Sequence, residues 1–257
     1  MAMEQFFSLL PVGLWLASFA VALLGGVVKG VVGFGAPMVM ISGLSSFMAP
    51  ELALAGLILP MLAANGTQAF RQGVGPALAS ARRFRVFLLV GGLVLVLSAQ
   101  LVRVIPVSVF LGLIGVPVTL FALLQLAGWA MRLKRQHGGI ETGVGAIAGF
   151  LGGMSGVWGP PTALYLTALD TEKTEHVRAQ GVIYGLGAIA LLGAHVGSGV
   201  LRSETLPLSL ALIAPALLGQ WLGGKILDRI DQVLFRRATL IVLLIVGLNL
   251  IRRSILG

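Results

Sequence analysis

The stretch VKGVVGFGAP, residues 28–37, sets one lysine, Lys29, in an apolar run broken by glycine and closed by proline. A charge at the centre of a membrane span costs roughly 2.5–3.5 kcal/mol on insertion scales and needs compensation. Lys29 stands one helical turn before a backbone break, Gly33-Phe34-Gly35-Ala36-Pro37. Glycine permits a turn there, and proline suits the first turn of the next helix, where no N–H is needed. The stretch therefore predicts a helix carrying a buried cation, a break at membrane depth, and a second helix that opens at the break.

The rest of the chain supports a membrane setting. Of its residues 57% are hydrophobic and only 11% charged, against about 25% charged in soluble domains. Apolar spans recur at about 12–32, 51–70, 85–104, 107–131, 142–157, 176–198, 206–226 and 236–253. Two shorter apolar segments, 37–48 and 160–169, follow the first and fifth spans. As helices they are too short to cross about 30 Å of hydrocarbon at about 1.5 Å per residue. The expected fold is an all-α polytopic membrane protein. The N-terminal MAMEQFFSLL lacks the basic start of a signal peptide, so the first span is expected to stay in the mature protein. The net charge of +9 comes from basic residues in short loops between spans. Membrane topology places them there, so no nucleic-acid partner is expected. With no cysteine, disulfides and thiolate metal sites are excluded.

The chain also reads as a duplication. A shift of 124 residues brings Gly25 onto Gly149, Gly35 onto Gly159, Pro37 onto Pro161 and Glu51 onto Glu175. Ala55 then meets Ala179, Gly73 meets Gly197 and Gly75 meets Gly199. Each half runs in one order: a long glycine-rich segment, a Gly/Pro break, a short segment, an acidic helix start and three further spans. The repeats are assigned to residues 1–131 and 132–257 of a single integral membrane domain.

Charge distribution orients the halves, because cytoplasmic loops collect Lys and Arg. Four full crossings per half make the halves parallel, with ten basic residues inside and seven outside. If the first two segments of each half instead form a hairpin that enters and leaves on one side, the halves are inverted. Thirteen basic residues then lie inside, and only Arg103, Arg202, Arg252 and Arg253 lie outside. The stronger bias favours two inverted repeats, each a broken or re-entrant hairpin plus about three transmembrane helices, with both termini outside. Five crossings per half give the same parity, so the short segments either re-enter or cross.

The two breaks are the candidate site. The second is Gly156-Val157-Trp158-Gly159-Pro160-Pro161. Each turn should present a helix N-terminus, and two such turns from inverted repeats would face each other near the midplane as an anion site. Lys29 adds a positive charge on one side only, since Gly153 stands at its place in the second half. Substrate contacts are assigned to Lys29, Gly33, Phe34, Gly35, Pro37, Asn65, Gln68, Trp158, Gly159, Pro160, Pro161, Thr162, Gln180 and Tyr184. Trp158 suits stacking on substrate or packing equally. Arg71 and His195, matched by the duplication, are assigned to proton coupling or gating. Gln125 and Gln220 read as links between helices. Glu51 and Glu175 start helices, where carboxylates suit the dipole. Glycine pairs four apart (Gly26 and Gly30, Gly149 and Gly153, Gly181 and Gly185, Gly219 and Gly223) predict close helix packing, internal or in a homodimer. No protease, hydrolase or nucleotide-loop motif appears, so the chain is not read as an enzyme, and no metal or other cofactor is expected.

At GGVVKGVVGFGAPMV (25–39), its echo GFLGGMSGVWGPPTAL (149–164) and ELALAGLILPMLAANGTQAFRQG (51–73), the chain resembles the TauE/SafE sulfite exporters, also called the toluene-sulfonate uptake permease family. The family often has Gly-x-Gly-Gly near the first break, where this chain has Gly33-Phe34-Gly35-Ala36. The resemblance implies a secondary carrier of small sulfur-containing or organic anions, such as sulfite, sulfonates or sulfoacetate, in the inner membrane. It also makes coupling to a proton or another ion an expectation. An anion channel is the main alternative, and an intramembrane enzyme the weaker one.

Overall fold

The computed structural model describes residues 10–99, 107–129, 132–133, 135–155, 158–197 and 199–256. They form eleven helices and no strand. In chain order these are α1 (Val12–Val32), α2 (Ala36–Leu44), α3 (Pro50–Phe70), α4 (Val74–Arg83), α5 (Arg85–Ala99) and α6 (Val107–Leu126). Then come α7 (Gly138–Ser155), α8 (Gly159–Ala168), α9 (Lys173–Gly197), α10 (Leu206–Arg229) and α11 (Gln232–Leu256). Five helices, α1, α3, α9, α10 and α11, are long and apolar enough to cross a membrane. The chain is thus a polytopic helical membrane protein.

Adding 124 to the bounds of α1, α2, α3, α5 and α6 reproduces α7, α8, α9, α10 and α11 to within six residues at each end. The element order expected of a duplication is therefore present. The exception is α4. Residues 71–85 look like a polar connector by composition, yet Val74–Arg83 is helical. Its mean hydropathy is too low to register as a span, but Ala77, Ser80 and the following Phe84 line one buried face at helical spacing.

The chain clusters into two compact units, Met1–Gln68 with Ala188–Arg229, and Ala69–Gly187 with Ile230–Gly257. Neither unit coincides with one half of the sequence; each combines segments from both. In the first unit α1 packs on α10 along a glycine seam. A Cβ at Gly26 or Gly30 would collide with the backbone carbonyls of Ala216 and Gln220, and one at Gly219 or Gly223 with those of Leu23 and Val27. Trp15, Met40, Leu44, Leu208 and Leu212 fill the core beside this seam. Without a hydrophobic drive between helices in lipid, such close backbone approach supplies the dispersion contact that holds them together.

The second unit repeats the device. Gly149 of α7 lies against Gly91 of α5, and Gly115 of α6 against Gly247 of α11. Arg83 pairs with Glu175 at 2.6 Å, and Asp170 with Arg236 at 2.8 Å and with Arg132 at 3.2 Å. Glu141 is buried and accepts from the N–H of Phe87 at 3.0 Å, capping the first turn of α5 from a distant helix.

Candidate functional site

The first break lies within the first unit. α1 ends on Gly33, whose φ of 85° is left-handed and whose N–H donates to Lys29 O at 2.7 Å. Gly35 is also left-handed at φ 90° and precedes α2, with Pro37 in the first turn. Two consecutive turns of this kind require glycine, because a Cβ clashes there. Between them Phe34 is buried.

Lys29 is only 2% exposed. Its ammonium donates to Asn65 Oδ1 at 2.7 Å and to Gly33 O at 3.4 Å. Gln68, one turn beyond Asn65 on α3, donates its Nε2–H to the same Gly33 carbonyl at 3.1 Å. The carbonyl released at the end of α1 is therefore the meeting point of a cation and an amide. Both acceptors of Lys29 here are neutral oxygens, so these bonds solvate its charge without cancelling it. Gln220 donates to Ala64 O at 2.9 Å and joins α10 to α3, the linking role expected of it.

The second break lies in the second unit. Gly156 and Val157 fall outside the described residues, but Trp158 and the start of α8 are placed. Pro160 and Pro161 are buried in the first turn of α8. Thr162 Oγ1 donates to Trp158 O at 2.9 Å, and Tyr184 Oη to Gly159 O at 3.0 Å. Gln180, one turn before Tyr184 on α9, is fully buried and lies beside the Tyr184 hydroxyl. Trp158 fills the space over Gly152 of α7 and Gly187 of α9, where any Cβ would strike its ring. Its ring thus makes the packing contact that was one of the two roles open to it. In both units a helix that follows the hairpin, α3 or α9, thus reaches back to a carbonyl at the break.

Lys29, Gly33, Asn65 and Gln68 form one bonded cluster, and Gly159, Thr162, Gln180 and Tyr184 lie together at the second break. Arg71 is exposed in the turn after α3, and His195 is partly buried in the last turn of α9. Sequence reasoning named Asn65 and Gln68 as pocket residues but missed that both act at the Lys29–Gly33 turn. The available signal was their spacing of three on α3, which puts them on one face. Gln125 accepts from Arg236 at 2.8 Å and ties α6 to α11.

A broken helical hairpin that recurs in a bundle of apolar helices, with a buried cation at the first of the two turns, matches a class of polytopic membrane transporter. The model of the sulfite exporter TauE/SafE family matches residues 18–250, and the chain belongs to that family. No curated protein and no solved structure matches the chain.

Proposed function

We propose that the chain is a secondary transporter that moves a small sulfur-containing or organic anion, of the sulfite, sulfonate or sulfoacetate kind, across the inner membrane by alternating access with proton or ion coupling. The observation that carries this reading is Lys29, buried and hydrogen-bonded to Asn65 and to the Gly33 carbonyl at the turn that opens α2. An anion at this turn would meet the ammonium and the first N–H groups of α2 together. Asn65 and Gln68 would hold the turn in shape. Thr162, Gln180 and Tyr184 at the second break are proposed as further polar contacts on the substrate route. Family membership supports the anionic, sulfur-containing class of substrate.

Ion pairs support the inverted arrangement. Arg83–Glu175, Arg132–Asp170 and Arg202–Glu51 each join residues that must share a membrane face. Inverted halves put both members of every pair on one face, whereas parallel halves with four crossings put each pair on opposite faces.

The test is a thermal-shift screen of the purified protein with sulfite, sulfonates and sulfoacetate, followed by flux in proteoliposomes. A ligand of the folded state raises apparent stability by mass action. Stabilisation by cations or neutral solutes alone would reject the anion reading.

A further inference from the structure

We propose that α4 lies flat in the headgroup layer of the bilayer and that Arg82 and Arg85 bind the phosphodiester of an anionic phospholipid. The proposal rests on the membrane fold and is independent of which anion is transported. α4 has ten residues, so it reaches about 15 Å, half of what a crossing requires. It follows α3, which is long enough to span, after only the turn at 71–73. It is separated from apolar α5 by Phe84 alone, whose φ of −101° and ψ of 28° leave the helical path. A helix too short to cross, set between two apolar ones, belongs at the interface.

Its faces are sorted accordingly. Ala77 and Ser80 are buried against the protein, and Arg178 donates to Ser80 Oγ at 2.8 Å. At about 100° per residue, Val74 and Leu78 lie side by side, Arg82 about 40° further round, and Arg83 about 100° beyond that. Val74 is 61% and Leu78 51% exposed, so among the described residues this apolar edge is more than half open. Arg83 is taken by Glu175 and Gln136. Arg82 is exposed between the apolar edge and Arg83, at the boundary where a guanidinium meets headgroups. Arg85 heads a second row: it is exposed in the first turn of α5, one and two turns before Leu89 and Leu93, which are 73% and 62% exposed. Neither Arg82 nor Arg85 has an ion-pair partner among the described residues. Two cations that cap lipid-facing rows match the negative charge of a phospholipid better than that of a soluble partner. The corresponding segment of the second half, 199–205, forms no helix, and its Arg202 pairs with Glu51 and Glu204.

The experiment compares the full chain in nanodiscs of phosphatidylcholine alone with nanodiscs of phosphatidylcholine mixed equally with phosphatidylglycerol. Phosphatidylglycerol should raise the melting temperature, and R82Q/R85Q should lose at least half of that gain. Soluble glycerol phosphate should give none. An equal gain in the double variant, or a gain with glycerol phosphate, would overturn the proposal. If the double variant does not fold, the cysteine-free chain permits a single spin label at L78C. A label more accessible to oxygen than to an aqueous nickel chelate is expected, and the reverse would refute the flat, lipid-facing placement. A chain that failed every transport assay would leave both readouts intact.

Discussion

The guanidinium of Arg83 lies 2.6 Å from the carboxylate of Glu175, although the two residues are 92 positions apart and belong to opposite halves of the sequence. No membrane separates groups so close, so the end of α4 and the start of α9 share one face. That relationship favours an even number of crossings between them, as the proposed inverted arrangement requires. The expected outcome is that a phosphatase fused to the C-terminus is active outside the cytoplasm. A fluorescent protein there that matures in the cytoplasm would refute the inverted topology.

Lys29 carries the clearest functional prediction. Lys29→Ala should abolish ligand-induced stabilisation by a sulfite or sulfonate. Loss of one charge-assisted hydrogen bond of about 1.5–3 kcal/mol corresponds to roughly 10- to 150-fold in affinity. Unchanged affinity, measured by titration calorimetry, would remove Lys29 from the site. Asn65→Leu should act differently, since it takes away the acceptor at 2.7 Å and leaves a buried ammonium less well solvated. It should destabilise the apo protein by about 1–3 kcal/mol, seen as a lower melting temperature without ligand.

Glycines separate into those that a side chain would disrupt and those it would not. Gly26→Val drives carbon into the Ala216 carbonyl and should lose folded protein, because the obstacle is backbone on a neighbouring helix. Gly66 lies within α3 with nothing inside 4 Å of a Cβ. Gly66→Ala should therefore be neutral, or stabilising by about 0.5–1 kcal/mol. Size-exclusion yield and melting temperature read both, and equal damage from the two would undo the seam argument.

The start of α9 should be acid-sensitive. Partial burial pushes the Glu172 carboxyl up, but hydrogen bonds from the Thr174 side chain, Thr174 N and Glu175 N, with Lys173 nearby, outweigh it and hold it below the usual carboxylate range. A lowered value means the cap contributes fully above the unfolded-state pKa, and the contribution is lost as pH falls through the folded one. Glu172→Gln should cost about 0.5–2 kcal/mol near neutrality, as cap removals do. The gap to wild type should close in acid. A gap that stays constant on acidification would show that the carboxylate charge is not what caps the helix.

The helix pattern of the bundle follows from local physics. Apolar length marked the spans, and Gly33, Gly35 and Pro37 marked the first break. α4 escaped because an amphipathic helix of ten residues has neither the length nor the hydropathy of a span. The second break illustrates the other limit. Trp158 was legible as a large ring beside Gly159, but its place over Gly152 and Gly187 depends on how α7 and α9 stack.

By itself, then, the sequence determined a helical membrane protein with a repeated element order and a lysine at a broken hairpin, because span length, glycine turns and proline starts are properties of neighbouring residues. The tertiary structure decided that Lys29 meets Asn65, 36 positions away, and that each compact unit draws on both halves. Those outcomes depend on which glycine seam admits which helix. Periodicity can show that a helix has a close-packing face, but only the packed chain selects the partner for it.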